Sequence, residues 1–321
     1  MRIVHNFRSF PEKWTARNGR RGSSVYAAGA AGFLKNSDDP GSVFVVNCDP
    51  SLVLQLAMPG RKRCPLIAVD IVLRQPEDLA GKLQLPVKRA LLRRVDHFIH
   101  YFRDCSGLER VYGIGQRRSS YVPFKVNLIS RHALEPRADG EYALCFGRSM
   151  RDFDTFLGAM ERVPYPGAIT RPDFPALAVH QGKFTRPLAQ LPKNVRLLDD
   201  DRTEESEIRI LGNAKLVVLP ILKKSLVASG ISTCLNAMFL GKCVIGSEGP
   251  GMSDIFNGEI LTFPAENPEA LAAVIRRAWE DDALREKTAA AGRLYAIAAG
   301  AEPELYQRII DDVADFASGI Q

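Results

Sequence analysis

Between Lys215 and Phe263 two strand-turn-helix units follow one another, and both turns are rich in Gly and Ser. Leu216–Leu219 is an apolar run stopped by Pro220, which is how a strand buried on both faces reads. A polar segment, Lys223 to Ser229, with Lys224 within it, leads to Gly230-Ile231-Ser232-Thr233. There a helix is expected to open, with Leu235, Met238 and Phe239 on its apolar positions, Ser232 or Thr233 as its cap and Gly241 as its stop. Val244-Ile245 is the next buried strand. Ser247-Glu248-Gly249-Pro250-Gly251 is the second turn and leads into a short helix over Met252–Asn257. Turns of this kind lie at the carboxyl edge of a parallel sheet and aim backbone N–H groups into one crevice, where anions bind.

A second constellation is Gly147-Arg148-Ser149-Met150-Arg151-Asp152, set between a strand at Tyr142–Phe146 and a helix at Phe153–Arg162. A planar guanidinium fork suits phosphate oxygens, and a helix N-terminus adds partial positive charge. The competing reading is a surface pair between these arginines and Asp152. A third group is Asp70, an acid inside the apolar run Pro65–Leu73. It is costly there unless paired, for instance to Arg74, or placed at the carboxyl end of the strand facing a crevice.

The segment AMFLGKCVIGSEGPGMSDIF resembles the donor-site signature of group 1 (family 4-like) glycosyltransferases of the GT-B fold, on Ala237-Met238, Gly241-Lys242, Val244-Ile245, Gly249 and Gly251, with Asp254 near the acid that follows the glycines. Gly147-Arg148 matches that family's Gly-Arg, and Arg151 stands close to its lysine. The departures are as plain. The family's paired glutamates fall on Ala228 and Asn236, and Cys243 replaces its proline. The resemblance implies an α/β chain of two doubly wound Rossmann-like domains facing a central cleft. It implies transfer of a sugar from a nucleotide-diphosphate sugar to a glycan or lipid-linked acceptor, with retention and without a metal. Arg148 and Arg151 would hold the diphosphate and stabilise the leaving group, with Lys223 or Lys224 as a third cation. Gly147, Ser229, Gly230, Ser232 and Thr233 would meet phosphate or sugar hydroxyls. Asn236 would bond the ribose, and Glu248, Gly249, Gly251 and Met252 would face the sugar. Asp70 would lie near the reacting sugar. The lost glutamates also admit a non-catalytic relative that binds a ligand or partner without turning it over, and an epimerase on the same fold is a further possibility.

The elements that must position these groups divide the chain. A domain of residues 1–130 on the acceptor side is expected to hold strands at Arg2–His5, Ser42–Asn47, Pro65–Leu73 and His97–Tyr101. Its helices are expected at Gly22–Leu34, Pro50–Met58, Pro86–Val95 and Cys105–Tyr112. Arg131–Gly140 reads as the linker. A nucleotide-sugar domain follows over 141–302, with strands at Gly167–Thr170 and Val195–Leu198 and helices at Glu204–Gly212, Asn267–Ala278 and Asp281–Tyr295. A helix at Pro303–Phe316, within residues 303–321, is expected to cross back onto the first domain, as the resemblance implies. Asp199-Asp200-Asp201 reads as a loop whose acids favour the next helix N-terminus rather than as a metal cluster.

The 321 residues, 46% hydrophobic, are enough for about two cored domains. There is no signal-type segment and no apolar run long enough to span a bilayer. Six cysteines without zinc spacing fit buried thiols in a reducing cytoplasm, with Cys48, Cys145 and Cys234 beside apolar runs. The net charge of +6 is gathered in the first half, at Arg17–Arg21, Arg61–Arg63, Lys82–Arg94 and Arg110–Arg118. Such charge is either a solvated face or an anion-seeking one. Lys82 to Arg94 interleaves leucines with cations and suits peripheral contact with an anionic membrane, here the inner face. No interleaving of aromatic and basic residues points to nucleic acid.

Overall fold

The computed structural model describes residues 1–319 apart from 38, 40, 62, 63 and 129–139. All but the last residue of the expected linker, and part of the turn at 38–41, lie outside the described residues. The chain forms two units: Met1–Pro123 with Pro303–Gln321, and Phe124–Glu302.

The first unit carries β1 (Arg2–His5), β2 (Lys13–Thr15), β3 (Arg21–Tyr26), α1 (Gly29–Lys35), β4 (Ser42–Asn47), α2 (Pro50–Leu56), β5 (Leu66–Val69), α3 (Leu79–Leu92), β6 (His97–His100), α4 (Ser106–Tyr112) and β7 (Ser119–Tyr121). The sheet order is β2-β3-β1-β4-β5-β6-β7, and only β2 with β3 is antiparallel. The central strands are buried throughout at Val43–Val46 and Leu66–Val69, as strands covered on both faces must be. Two expectations are corrected here. Gly22–Leu34 is not one helix: Ser23–Tyr26 pair in parallel with β1, and the helix starts only at Gly29. The run Pro65–Leu73 ends as a strand at Val69, because Asp70 turns the backbone into the left-handed region at φ 46°. Helix α3 starts earlier than the sequence suggests, at a cap where the Asp78 carboxylate accepts from Gly81 N at 2.7 Å, and it runs through Pro86.

The second unit carries β8 (Tyr142–Cys145), α5 (Phe153–Met160), β9 (Gly167–Thr170), α6 (Phe174–Val179), β10 (Val195–Leu198), α7 (Glu204–Gly212), β11 (Ala214–Leu219), α8 (Ile231–Phe239), β12 (Cys243–Ser247), β13 (Leu261–Phe263), α9 (Pro268–Glu280) and α10 (Asp282–Ala299). Its strands are all parallel in the order β10-β9-β8-β11-β12-β13. Successive strand residues serve opposite faces. Leu144, Val217 and Leu219 pack with Leu235 and Met238 on one side, and Cys145, Val218 and Ile245 with Phe156 and Ile275 on the other. Asn267 caps α9 by accepting from Ala270 N at 3.0 Å, with Pro268 opening the helix, an arrangement worth about 1 kcal/mol. Strand order reverses between β8 and β11, so the loops that leave these two strands flank the crevice of a doubly wound sheet. The expected helix at Met252–Asn257 is a run of turns instead.

The last helix, α11 (Glu302–Phe316), belongs to the first unit from Pro303 on. Tyr306 meets Phe7 and Phe10, with ring centroids 5.4 and 5.1 Å apart. Asp312 Oδ1 lies 3.1 Å from His97 Nε2.

Candidate functional site

The site in the second unit is built from the β8 and β11 loops and the start of α8. The β8 loop is stitched in place by its backbone. Met150 N donates to His180 O at 3.0 Å, Leu222 N to Met150 O at 2.9 Å and Asp152 N to Pro220 O at 2.8 Å. The Asp152 carboxylate is spent on Thr155, accepting from its N at 3.1 Å and its Oγ1 at 2.7 Å. It therefore caps α5 instead of forming the surface pair with the arginines that the sequence also allowed.

This stitching drives Arg151 inward. The residue is 1% exposed and among the largest fully buried side chains. Its Nε and Nη1 have no hydrogen-bond partner. Its Nη2 fills the space where two glycines lack a side chain: a Cβ would lie 2.7 Å from it at Gly147 and 2.9 Å at Gly230. Both glycines are left-handed, at φ 93° and 85°. The nearest titratable groups, Cys145 and Cys234, give no counter-charge. Burial pushes Cys145 up to about 12 and Cys234 higher still, so both stay neutral. Burial also presses the guanidinium below its usual range, only weakly opposed by the thiols.

Above Arg151 stands the start of α8. Its cap is Gly230, with no side-chain cap hydrogen bond, so neither Ser232 nor Thr233 takes the capping role expected from sequence. The first N–H groups of α8 lack a capping side chain, and a helix end of this kind attracts anions. Ser232 is bonded to the Asn127 side chain.

A cavity of about 350 Å³ opens beside this corner. It is lined by Gly147, Arg148, Ser232 and Thr233, and by Thr170, Asp173 and Glu207 among others. Among the sequence candidates, the structure thus gathers Gly147, Arg148, Ser232 and Thr233 on the cavity, with Arg151 and Gly230 directly behind. It places others elsewhere. Lys224 lines a separate hollow with Lys183 and Glu266. The Ser229 hydroxyl is buried against Ser225 Oγ at 2.9 Å. The Met252 side chain is in the core beside Ile260, where a Cβ on Gly246 would meet its sulfur at 3.0 Å. Gly251 packs on Ala228 so closely that a Cβ there would come within 2.4 Å of the alanine's own. Its N donates to Asp254 Oδ1 at 2.7 Å, and Gly249 N to Ser253 Oγ at 3.0 Å. Glu248 is exposed at the end of β12.

Asn236 is 1% exposed and its amide is occupied. Oδ1 accepts from Asn127 N at 2.9 Å and Nδ2 donates to Glu207 Oε1 at 2.8 Å. It faces protein, not the cavity. Glu207 is not among the residues singled out from the sequence. It is half-buried, and its carboxyl is raised by burial and, more weakly, by Asp200 and Glu204, against the hydrogen bond from Asn236. The acids Asp199 and Asp201 are held by Arg171 at 3.2 Å and by Thr203.

Asp70 lies in the first unit, just past β5. Its Oδ2 accepts from Cys48 Sγ at 3.6 Å, and burial lifts its carboxyl to about 7. Cys48 is exposed at the end of β4, contrary to the buried thiol expected from the sequence, while Cys145 and Cys234 are buried and all six cysteines are free.

Residues 188–295 match the family described as Glycosyl transferases group 1. Sucrose-phosphate synthase from Thermosynechococcus elongatus is 16% identical over 99% of this chain and 89% of its own, with a TM-score of 0.66. Anabaena HepE in complex with UDP is 16% identical over 91% and 86%, with a TM-score of 0.67. A UDP-forming alpha,alpha-trehalose-phosphate synthase from Burkholderia vietnamiensis is 13% identical over 90% and 76%, with a TM-score of 0.60. No curated protein matches the sequence. The fold is GT-B.

Proposed function

We propose that the chain is a glycosyltransferase of group 1, the family that residues 188–295 match, and that it transfers a sugar from a nucleoside-diphosphate sugar to a glycan or lipid-linked acceptor. The observation that carries this is the buried Arg151 guanidinium, unpartnered at two nitrogens and set under the side-chain-free cap of α8. A permanent cation in such a place calls for an anion, and a diphosphate supplies one. As the bond from sugar to diphosphate breaks, negative charge grows on the leaving oxygen. Arg151, Arg148 and the first N–H groups of α8 stabilise it there, which is leaving-group catalysis without a metal. Retention of configuration rests on the sequence resemblance alone. UDP is the first nucleotide to try, since HepE and the trehalose-phosphate synthase carry it in their descriptions.

The test is thermal unfolding against a panel of nucleoside diphosphates and their sugars. A ligand at about 100 times its dissociation constant adds roughly 2.7 kcal/mol to the stability of the folded state. A shift with one base and one sugar is expected; well-folded protein that responds to none of them refutes the reading. Ala228, which brings no carboxylate to the Gly251 turn, favours a second reading, donor binding without transfer. Binding without turnover across a broad acceptor panel would select it.

The acceptor side is proposed to rest on an anionic lipid surface through α3. Leu79, Leu83 and Val87 are 74%, 70% and 62% exposed and recur at every fourth position, so they form one stripe about 12 Å long. Lys82, Lys88, Arg89 and Arg93 surround them, and no acid falls between residues 79 and 95. An apolar stripe edged by cations alone suits an anionic interface.

A further inference from the structure

We propose that Glu207, on α7, reads the ribose of the donor nucleotide, taking over from a different helix the task that the family's second glutamate would perform at Asn236. The inference rests on the nucleotide reading above and identifies the residue that recognises its sugar moiety.

Three observations carry it. The first is placement. Glu207 and Thr203 of the α7 start line the same cavity as Gly147, Arg148, Ser232 and Thr233, so the carboxylate shares one space with the groups that would hold the diphosphate. The second is the fate of Asn236. Its amide turns away from the cavity, fixed by Asn127 N, and uses Nδ2 to hold Glu207 Oε1 at 2.8 Å. The residue in the glutamate's place has become the support of a carboxylate brought from elsewhere. The third is availability. Of the carboxylates on the lining, Asp173 caps α6 through Ala176 N at 3.0 Å and pairs with Arg202, and Asp200 accepts from Arg202 N at 2.9 Å. Among the described residues, Glu207 Oε2 has no hydrogen bond, and its other oxygen is held in one orientation.

The chemistry fits a vicinal diol. A carboxylate presents two acceptor oxygens; with Oε1 held by Asn236, Oε2 is left to accept from the 2′ hydroxyl of that diol. A site built to accept such a hydroxyl rejects an analogue that lacks it far more strongly than an apolar pocket rejects a missing methylene, because the buried acceptor is left unpaired.

The experiment is a calorimetric titration of UDP and 2′-deoxy-UDP into the wild type, Glu207→Gln and Asn236→Asp. The wild type should bind UDP at least tenfold more tightly than 2′-deoxy-UDP. Glu207→Gln should weaken UDP about tenfold or more, leave 2′-deoxy-UDP nearly unchanged and so erase the preference. Asn236→Asp, of the same size, removes the donor that holds Glu207 and sets a second carboxylate against it. The same loss is expected there, which keeps the proposal testable if Glu207→Gln does not fold. A wild type that does not discriminate, or a folded Glu207→Gln that still does, overturns the role of Glu207 and leaves the nucleotide reading standing. A wild type that binds neither ligand, nor the other nucleotides of the panel, overturns the nucleotide reading itself.

Discussion

Arg151 carries a permanent charge to a position with 1% exposure and no anion beside it. Removing a buried charge that has no partner relieves a desolvation cost, and apolar replacement of buried ions is often neutral or stabilising. Arg151→Met, which keeps an unbranched chain under Gly147 and Gly230, is therefore expected to unfold at a temperature equal to or above that of the wild type when no nucleotide is present. The same substitution should abolish the nucleotide-induced shift and reduce transfer by roughly 10² to 10³. A variant that is much less stable yet keeps its nucleotide shift would show Arg151 to be a structural residue only. At this scale the sequence was legible in part. Gly147, Arg148 and Arg151 could be read because a Gly-Arg at a strand end before a helix is a local pattern. Lys224, Ser229 and Met252 could not be placed, since the burial of a turn side chain is decided by what packs over it. Glu207 was invisible because the hydrogen bond that makes it useful, to Asn236, joins two helices separated by a strand.

Elements were easier to read than their ends. The strands of the second unit follow from short apolar runs, and α9 from its Asn-Pro start. The failures have local causes. Ser23 to Tyr26 lie beside alanines and glycines that mask a strand, and only pairing with β1 decides the matter. Helix α3 looked shorter because Pro86 was taken for its start. Its true start exposes Leu79 and Leu83, a stripe the shorter helix would not have shown. The consequence is measurable by cosedimentation with vesicles. Binding to vesicles containing phosphatidylglycerol is expected at low salt, with little to phosphatidylcholine alone. Leu79→Ser with Leu83→Ser should weaken it by tenfold or more, since burying one leucine is worth about 1.5–3 kcal/mol. Equal binding to both vesicle types, or none, would remove the lipid surface from the account.

Over the whole molecule the two units respond to different things. The first holds His5, His100 and Asp70 at the carboxyl ends of its strands. Burial depresses His5 and His100 to about 4, so their contribution is complete above about pH 6.5 and is lost as the pH falls through 4. Asp70 runs the opposite way. With its carboxyl raised to about 7, the folded chain keeps a proton that the unfolded chain releases near pH 4, and stability falls as the pH rises from about 4 to about 7. The opposed slopes flatten the acid limb. Asp70→Asn should remove the second one, giving a protein about 1–3 kcal/mol more stable at pH 8 and a steeper loss of stability between pH 6.5 and 4. Denaturant titrations across that range would show it, and an unchanged profile would mean that Asp70 is not desolvated in the folded state.

The path of the chain has a consequence for how the protein is made. Residues 303–319 complete the first unit, placing Tyr306 on Phe7 and Phe10 and Asp312 on His97. On the ribosome, that unit emerges first and is finished last. At about 5–20 residues per second, the stretch Phe124–Glu302 takes roughly 9 to 36 s to synthesise. Throughout that interval the aromatic face that α11 will cover stands open, whereas the second unit has every residue it needs as soon as its own stretch is made. The nascent first half therefore waits with its apolar side uncovered until α11 is made.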